Sequence, residues 1–195
     1  MSDAFHLRPA RTSDVAAIRR LVRPLAEERI LLEKEAVAYY ESLQEFTVAE
    51  DSDGNVIGCG AVHVMWEDIA EVRTLATSAQ WRGRGVGKAL LDRLLERARD
   101  LGVRRVFCLT FEVEFFERGG FEVMADQTAV DPEVYSELLR STDDGVAEFL
   151  DLARVKQNTL GNTRMILELE RAGEPAPRGG VERPLSSGFP SDGGT

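Results

Sequence analysis

Hydrophobic and polar positions along this chain switch between two periods, and the switches mark its elements. HLRPA reads as a short strand, and Thr12-Ser13-Asp14 offers an N-cap before Val15, Ile18, Leu21 and Val22, which are spaced for one helical face. A second helix is predicted from about Lys34 through Leu43. EFTVAE and VIGCGAVHVMW flank the polar turn DSDGN, as the two arms of a hairpin do. Glu71 to Thr77 adds a strand, and these antiparallel neighbours argue against a purely parallel sheet. Val86, Leu90, Leu94 and Ala98 form the apolar stripe of a long helix that Gly102 ends. VRRVFCLT follows as a buried strand, Glu114 to Arg118 as a short helix stopped by Gly119-Gly120, and Asp131 to Arg140 as a helix. Asp143 to Asn162 has no decisive period, RMILELE closes as a strand, and no internal repeat is visible. The order predicts an α/β fold with a mixed, partly antiparallel sheet flanked by helices.

Composition narrows the partners. The 195 residues suit one domain. From Ala172 to Thr195 the chain carries four of its seven prolines and six of its seventeen glycines, so a folded domain is predicted over 1–171 and a disordered tail over 172–195. Acidic residues outnumber basic ones 34 to 24, and the net charge of −10 disfavours nucleic acid and an anionic membrane surface. Any anionic ligand needs a local cationic site. Cys59 and Cys108, set among apolar neighbours, read as reduced core thiols. With no long apolar run and no basic-then-apolar N-terminus, a cytoplasmic protein is expected. A homodimer is left open.

Candidate chemistry begins at Arg82-Gly83-Arg84-Gly85-Val86-Gly87-Lys88, between a strand and the long amphipathic helix. Backbone N–H groups at a helix N-terminus bind anions, glycines allow close approach, and two arginines add charge that the domain otherwise lacks. A P-loop fails twice, because Arg82 and Ala89 occupy the required Gly and Ser/Thr positions. The dinucleotide fingerprint fails on glycine spacing and on its antiparallel context. The remaining pattern, Arg82, Gly85 and Gly87, resembles the pyrophosphate loop of the GNAT acetyltransferase superfamily. Leu75-Ala76-Thr77 stands where that family's acyl-CoA-binding strand belongs, and Phe116-Glu117-Arg118-Gly119-Gly120-Phe121 matches its later helix-end motif.

LRPARTSDVAAI, IRRLVRPLAEERILLEKE, EVRTLAT, VFCLTFEVEFFERGGF and LGNTRMILEL resemble the acetyltransferase domain of N-acetylglutamate synthases, nearest to the short stand-alone actinobacterial type. The resemblance spans nearly all of residues 6–170 and implies the GNAT acyl-CoA N-acyltransferase fold. It further implies acetyl-CoA as co-substrate, no metal, and acetylation of the α-amino group of glutamate at the start of arginine synthesis. The chain is expected to lack the amino-acid-kinase domain of longer synthases, and with it their arginine inhibition.

Acetyl transfer from a thioester to an amine needs a deprotonated, well-placed nitrogen and a stabilised oxyanion. By resemblance Glu71 is the general base, acting through a water, with cross-strand pairing to Arg73 as the alternative. Phe116 replaces the tyrosine that many GNAT enzymes use as acid, which leaves Thr110 as the matching hydroxyl or as a plain strand end. Cofactor contacts fall on Leu75, Ala76, Thr77, residues 82–88 and Phe116, with backbone amides from Thr74 to Thr77 for the oxyanion and pantetheine arm. Lys34 and Arg164, with Arg73, are the candidate carboxylate contacts, expected to converge near Glu71. His63 and Lys156 read more simply as surface or packing residues. Glutamine, another small amine or a protein N-terminus are rival acceptors, and a non-catalytic acyl-CoA sensor is a rival of another class.

Overall fold

The computed structural model describes residues 4–31, 34–124, 132–150 and 162–169, so Lys156 and the 172–195 tail lie outside the described residues. Strands β1 (Phe5–Pro9), β2 (Phe46–Asp51), β3 (Val56–Val64) and β4 (Ile69–Thr77) form an antiparallel run. β4 then pairs in parallel with β5 (Arg105–Thr110), which pairs antiparallel with β7 (Thr163–Glu168). The two-residue β6 (Glu122–Val123), not foreseen from sequence, adds to β7 and gives the order β1-β2-β3-β4-β5-β7-β6. The helices are α1 (Val15–Glu27), α2 (Ala36–Glu41), α3 (Val86–Asp100), α4 (Val113–Glu117), α5 (Pro132–Leu138) and α6 (Asp144–Phe149). The mixed, mostly antiparallel sheet is as the sequence predicts. No helix among the described residues is long and apolar enough to cross a membrane.

Local chemistry explains the boundaries. The Asp51 carboxylate accepts the N–H groups of Asp53 (3.0 Å) and Asn55 (2.8 Å), closing the hairpin between β2 and β3. α3 buries Val86, Leu90, Leu91, Leu94, Leu95 and Ala98, and it ends where Gly102 turns left-handed at φ 84. At α1 the expected N-cap takes another form. Thr12–Asp14 is a single 3₁₀ turn, and the Asp14 carboxylate accepts the Arg11 N–H (2.7 Å) and pairs with Arg8 (2.6 Å) instead of capping helix amides.

Strand alternation divides the core. On one face of the sheet, Val62, Ala70, Val72, Val106 and Cys108 pack against α3 and Phe116 of α4. On the other face, α1 and α2 cover Phe46, Val48, Cys59 and Ala61, while α6 covers Met65, Ile69 and Phe107. Between these two apolar patches lies a polar saddle. Two irregularities shape its edge. The β4–β5 ladder ends at Glu71↔Phe107, although β4 continues to Thr77 and β5 to Thr110, so the strands splay beyond that pair. Across from Gly60, β4 bulges: the pairing steps from Cys59↔Ala76 to Ala61↔Arg73, and Thr74 takes a φ of 57.

Candidate active site

The saddle is built from side chains that register brings together. His63 on β3 pairs directly with Glu71 on β4, so the two share a face. Arg73 follows on the same face, and Glu45 enters from the turn ahead of β2. Asp143 arrives with α6: its Oδ1 accepts the N–H of Gly145 (2.8 Å) and of Val146 (3.3 Å), which caps that helix. Its other oxygen accepts from Arg73 Nη1 at 2.9 Å, and Glu45 Oε2 accepts from Arg73 Nη2 at 3.0 Å. The remaining Glu45 oxygen meets His63 Nδ1 at 2.7 Å. Arg73 is thus held between two carboxylates, and its nearest nitrogen is 3.7 Å from Glu71 Oε2.

Glu71 consequently stands apart from the other acids. It is only 6% exposed, and its Oε2 has no hydrogen-bond partner among the described residues. Burial pushes its carboxyl up to about 7, a push that Asp143 reinforces and that Arg73 and Lys34 only partly offset. Burial would raise Glu45 and Asp143 too, but the contacts of Glu45 with His63 and Arg73, and of Asp143 with Arg73, outweigh it and hold both low. Lys34 is half-buried and faces the same groups; burial and the Arg73 charge lower its ammonium, against the pull of Glu71, Asp143 and Glu45. A buried carboxyl titrating near neutrality beside fixed cations is equipped to take a proton.

The other sequence candidates fall into three places. Arg164 lies on β7 opposite Leu109, two residues from the Ile166 that pairs with Phe107, and alternation puts it on the Glu71 face. Thr110 ends β5 and is 7% exposed, with its Oγ1 accepting the Glu112 N–H at 2.8 Å, and alternation places it with Cys108 on the α3 face. Along the splayed edge, Leu75 and Thr77 are half-buried and Ala76 is buried. The loop Arg82–Gly85 is exposed, Gly83 and Gly85 take φ of 75 and 85, and the α3 N–H groups of Val86, Gly87 and Lys88 follow. Arg84 lies over the Trp81 ring, 5.3 Å from its centre. Lys88 pairs with Asp92 at 2.5 Å along the outer face of α3. Phe116 turns into the core against Phe121, whereas Phe115 is the aromatic nearest Gly87.

Sequence reasoning missed Glu45 and Asp143, and it assigned His63 to a polar surface. The structure corrects the latter: His63 is inside the cluster. No group of three or more His, Cys, Asp or Glu among the described residues is arranged to hold a metal ion.

Known proteins are similar to this chain in sequence and in fold. Residues 15–121 match the acetyltransferase (GNAT) family. The chain is 56% identical over 165 residues to an amino-acid acetyltransferase of Mycobacterium tuberculosis, covering 84% of this chain and 94% of that one. A crystal structure of Rv2747 from Mycobacterium tuberculosis in complex with CoA and NLQ superimposes with a TM-score of 0.80 at 55% identity, covering 85% of this chain and 99% of that one. N-acetylglutamate synthase from Neisseria gonorrhoeae, complexed with coenzyme A and N-acetyl-glutamate, gives 0.68 at 26% identity, covering 86% of this chain and 36% of that longer one. The splayed strands, the glycine loop at the head of α3 and these matches together show that the chain belongs to the acetyltransferase (GNAT) family.

Proposed function

We propose that this protein transfers the acetyl group of acetyl-CoA to the α-amino group of L-glutamate, a reaction that serves arginine synthesis. The carrying observation is Glu71: a buried carboxyl near neutrality, with no hydrogen bond to Oε2 among the described residues, at the point where β4 and β5 part. The residues present also fit acetyl-CoA. Left-handed Gly83 and Gly85, exposed Arg82 and Arg84, and the leading amides of the fifteen-residue α3 suit a pyrophosphate, and the edge from Leu75 to Thr77 suits an extended amide-bearing arm. When bound, acetyl-CoA supplies the acetyl group as a thioester.

The chain's own residues supply the rest. Glu71 accepts a proton from the substrate ammonium, directly or through one water, and frees the nitrogen lone pair to bond to the acetyl carbon. Lys34, Arg73 and Arg164 receive the substrate carboxylates, which is how an acidic protein holds an acidic substrate. Main-chain amides near the Thr74 bulge stabilise charge on the carbonyl oxygen. As the C–S bond breaks, the Thr110 hydroxyl donates a hydrogen bond to the departing sulfur, which takes up, through water, the second proton that the nitrogen sheds on becoming an amide. Thiols ionise at ~8.5, so only modest help is needed there.

Glu71→Gln is expected to lower turnover roughly 100- to 10,000-fold while acetyl-CoA affinity is kept. Unchanged turnover would overturn the base assignment. Initial rates with L-glutamate and L-glutamine at saturating acetyl-CoA test the substrate, since the two differ in one contact. Activity on neither would overturn the substrate assignment and leave another amine, a protein N-terminus or a binding-only role.

A further inference from the structure

Glu71 is enclosed by backbone as well as by charge. Gly145, the second residue of α6, lies against its carboxyl: a Cβ built there would overlap Glu71 Oε2 and sit 2.8 Å from Glu71 Cδ and 3.0 Å from Asp143 Oδ1. Gly145 is absent from the glycines with positive φ, so its backbone conformation does not demand a glycine; the space does. Two anchors hold it in place. Val146, Phe149 and Leu150 pack with Met65, Ile69 and Phe107, while Asp143 ties the head of α6 to Arg73.

Resting on the reading of Glu71 as the base, we propose that Gly145 is a positioning residue for acetyl transfer: its missing side chain lets α6 lie on the Glu71 carboxyl, fixing its direction and shutting water away from Oε2. The nearest atoms are the far end of a flexible side chain. Any residue larger than glycine therefore displaces the carboxyl before it displaces the helix. Displacement carries it toward solvent and away from the direction the substrate nitrogen requires.

The charged and titratable groups facing Glu71 are Arg73 on β4, His63 on β3, Lys34 ahead of α2 and Asp143 ahead of α6, while the Cys108 thiol, on the α3 face of β5, feels its charge through the sheet. Gly145→Ala changes the identity of none of them but also crowds Asp143 Oδ1 at 3.0 Å, so a change in the titration of the base reports where the Glu71 and Asp143 carboxyls sit.

The first measurement is the pH profile of kcat/KM for Gly145→Ala, over about pH 5 to 9. It uses acetyl-CoA and whichever of L-glutamate or L-glutamine is turned over. Expected are a plateau about 100-fold lower, an acid limb moved from near 7 toward ordinary carboxylate values, and an unchanged KM for acetyl-CoA. Ala147→Gly, which weakens the same helix, should leave the limb in place. A wild-type plateau and limb in Gly145→Ala would overturn the proposal. The second measurement needs no activity: Tm for Gly145→Ala, Glu71→Asp and the double variant. Asp withdraws the carboxyl by one methylene, so Gly145→Ala should cost less Tm in that background. Equal losses in both backgrounds would overturn the contact even if the acceptor is neither amino acid, while a reduced loss with no turnover would overturn only the enzymatic reading.

Discussion

Neighbouring residues of β4 face two different solvents. Ala70 and Val72 turn toward α3 and close into a dry core with Leu91, Leu94 and Cys108. Glu71 and Arg73, each one residue away, turn into a saddle where Glu45, His63, Asp143 and Lys34 converge. On the dry face only shape and volume matter, and the cost of change is a cavity. On the polar face the acids themselves divide into two kinds. Glu45 and Asp143 are hydrogen-bonded and held low, while Glu71, with no hydrogen bond to Oε2 among the described residues and Arg73 only at 3.7 Å, is pushed high. The proposed base is the group whose surroundings leave it least satisfied, and the hydrogen-bonded acids hold the frame around it.

The contrast can be broken from the dry side first. Leu94→Ala, in a fully buried stripe, is expected to lower unfolding free energy by roughly 3–5 kcal/mol in denaturant titration, with turnover per folded molecule unchanged. A second effect concerns pH. A native carboxyl near 7, against 4.5 when unfolded, means the folded state binds the proton more tightly, so stability should rise as pH falls from above 7 toward 4.5, by up to about 3 kcal/mol. Glu71→Gln should flatten that slope. At still lower pH the sign reverses, because Glu45 and Asp143, held low in the fold, lose their contribution as pH falls through their folded values. Stability measured across this range with wild type and Glu71→Gln separates the two kinds of acid.

Arg73→Gln removes the charge that both Glu45 and Asp143 accept from, and about 2 kcal/mol of destabilisation is expected after allowing for their partial exposure. The loss should shrink when Asp143→Asn is added, as a double-mutant cycle would show. The smallest effect belongs to the outer face of α3. Arg93→Ala breaks an exposed pair with Glu96 and should change stability by only a few tenths of a kcal/mol, with no change in activity.

Much of this fold is legible in the sequence because its signals are local. The Val86-Leu90-Leu94-Ala98 stripe, the Asp51–Asn55 turn and the left-handed Gly102 each act within a few residues of themselves. The same holds for the glycine loop, whose spacing is continuous in the chain. What escaped notice depends on register or on distant contact. β6 is two residues long and has no period of its own. His63 reads as a polar-face residue until the β3–β4 pairing sets it opposite Glu71. Glu45 and Asp143 are 28 and 70 positions from Arg73, and no spacing rule connects them. Gly145 looks like any glycine near a helix start until the carboxyl beside it is seen.

The bulge at Thr74 has a consequence for how such a strand can diversify. By inserting one residue into β4, it resets the strand's phase, so that Ala76 rather than Leu75 lies on the side shared by Arg73 and Cys59. The half of β4 that carries Glu71 and Arg73 and the half that carries Leu75 to Thr77 are thereby out of step with each other. Side chains in the first half can be exchanged to suit a different acceptor without turning the second half over. A one-residue deletion at the bulge would do the opposite, reversing every residue of one half at a stroke.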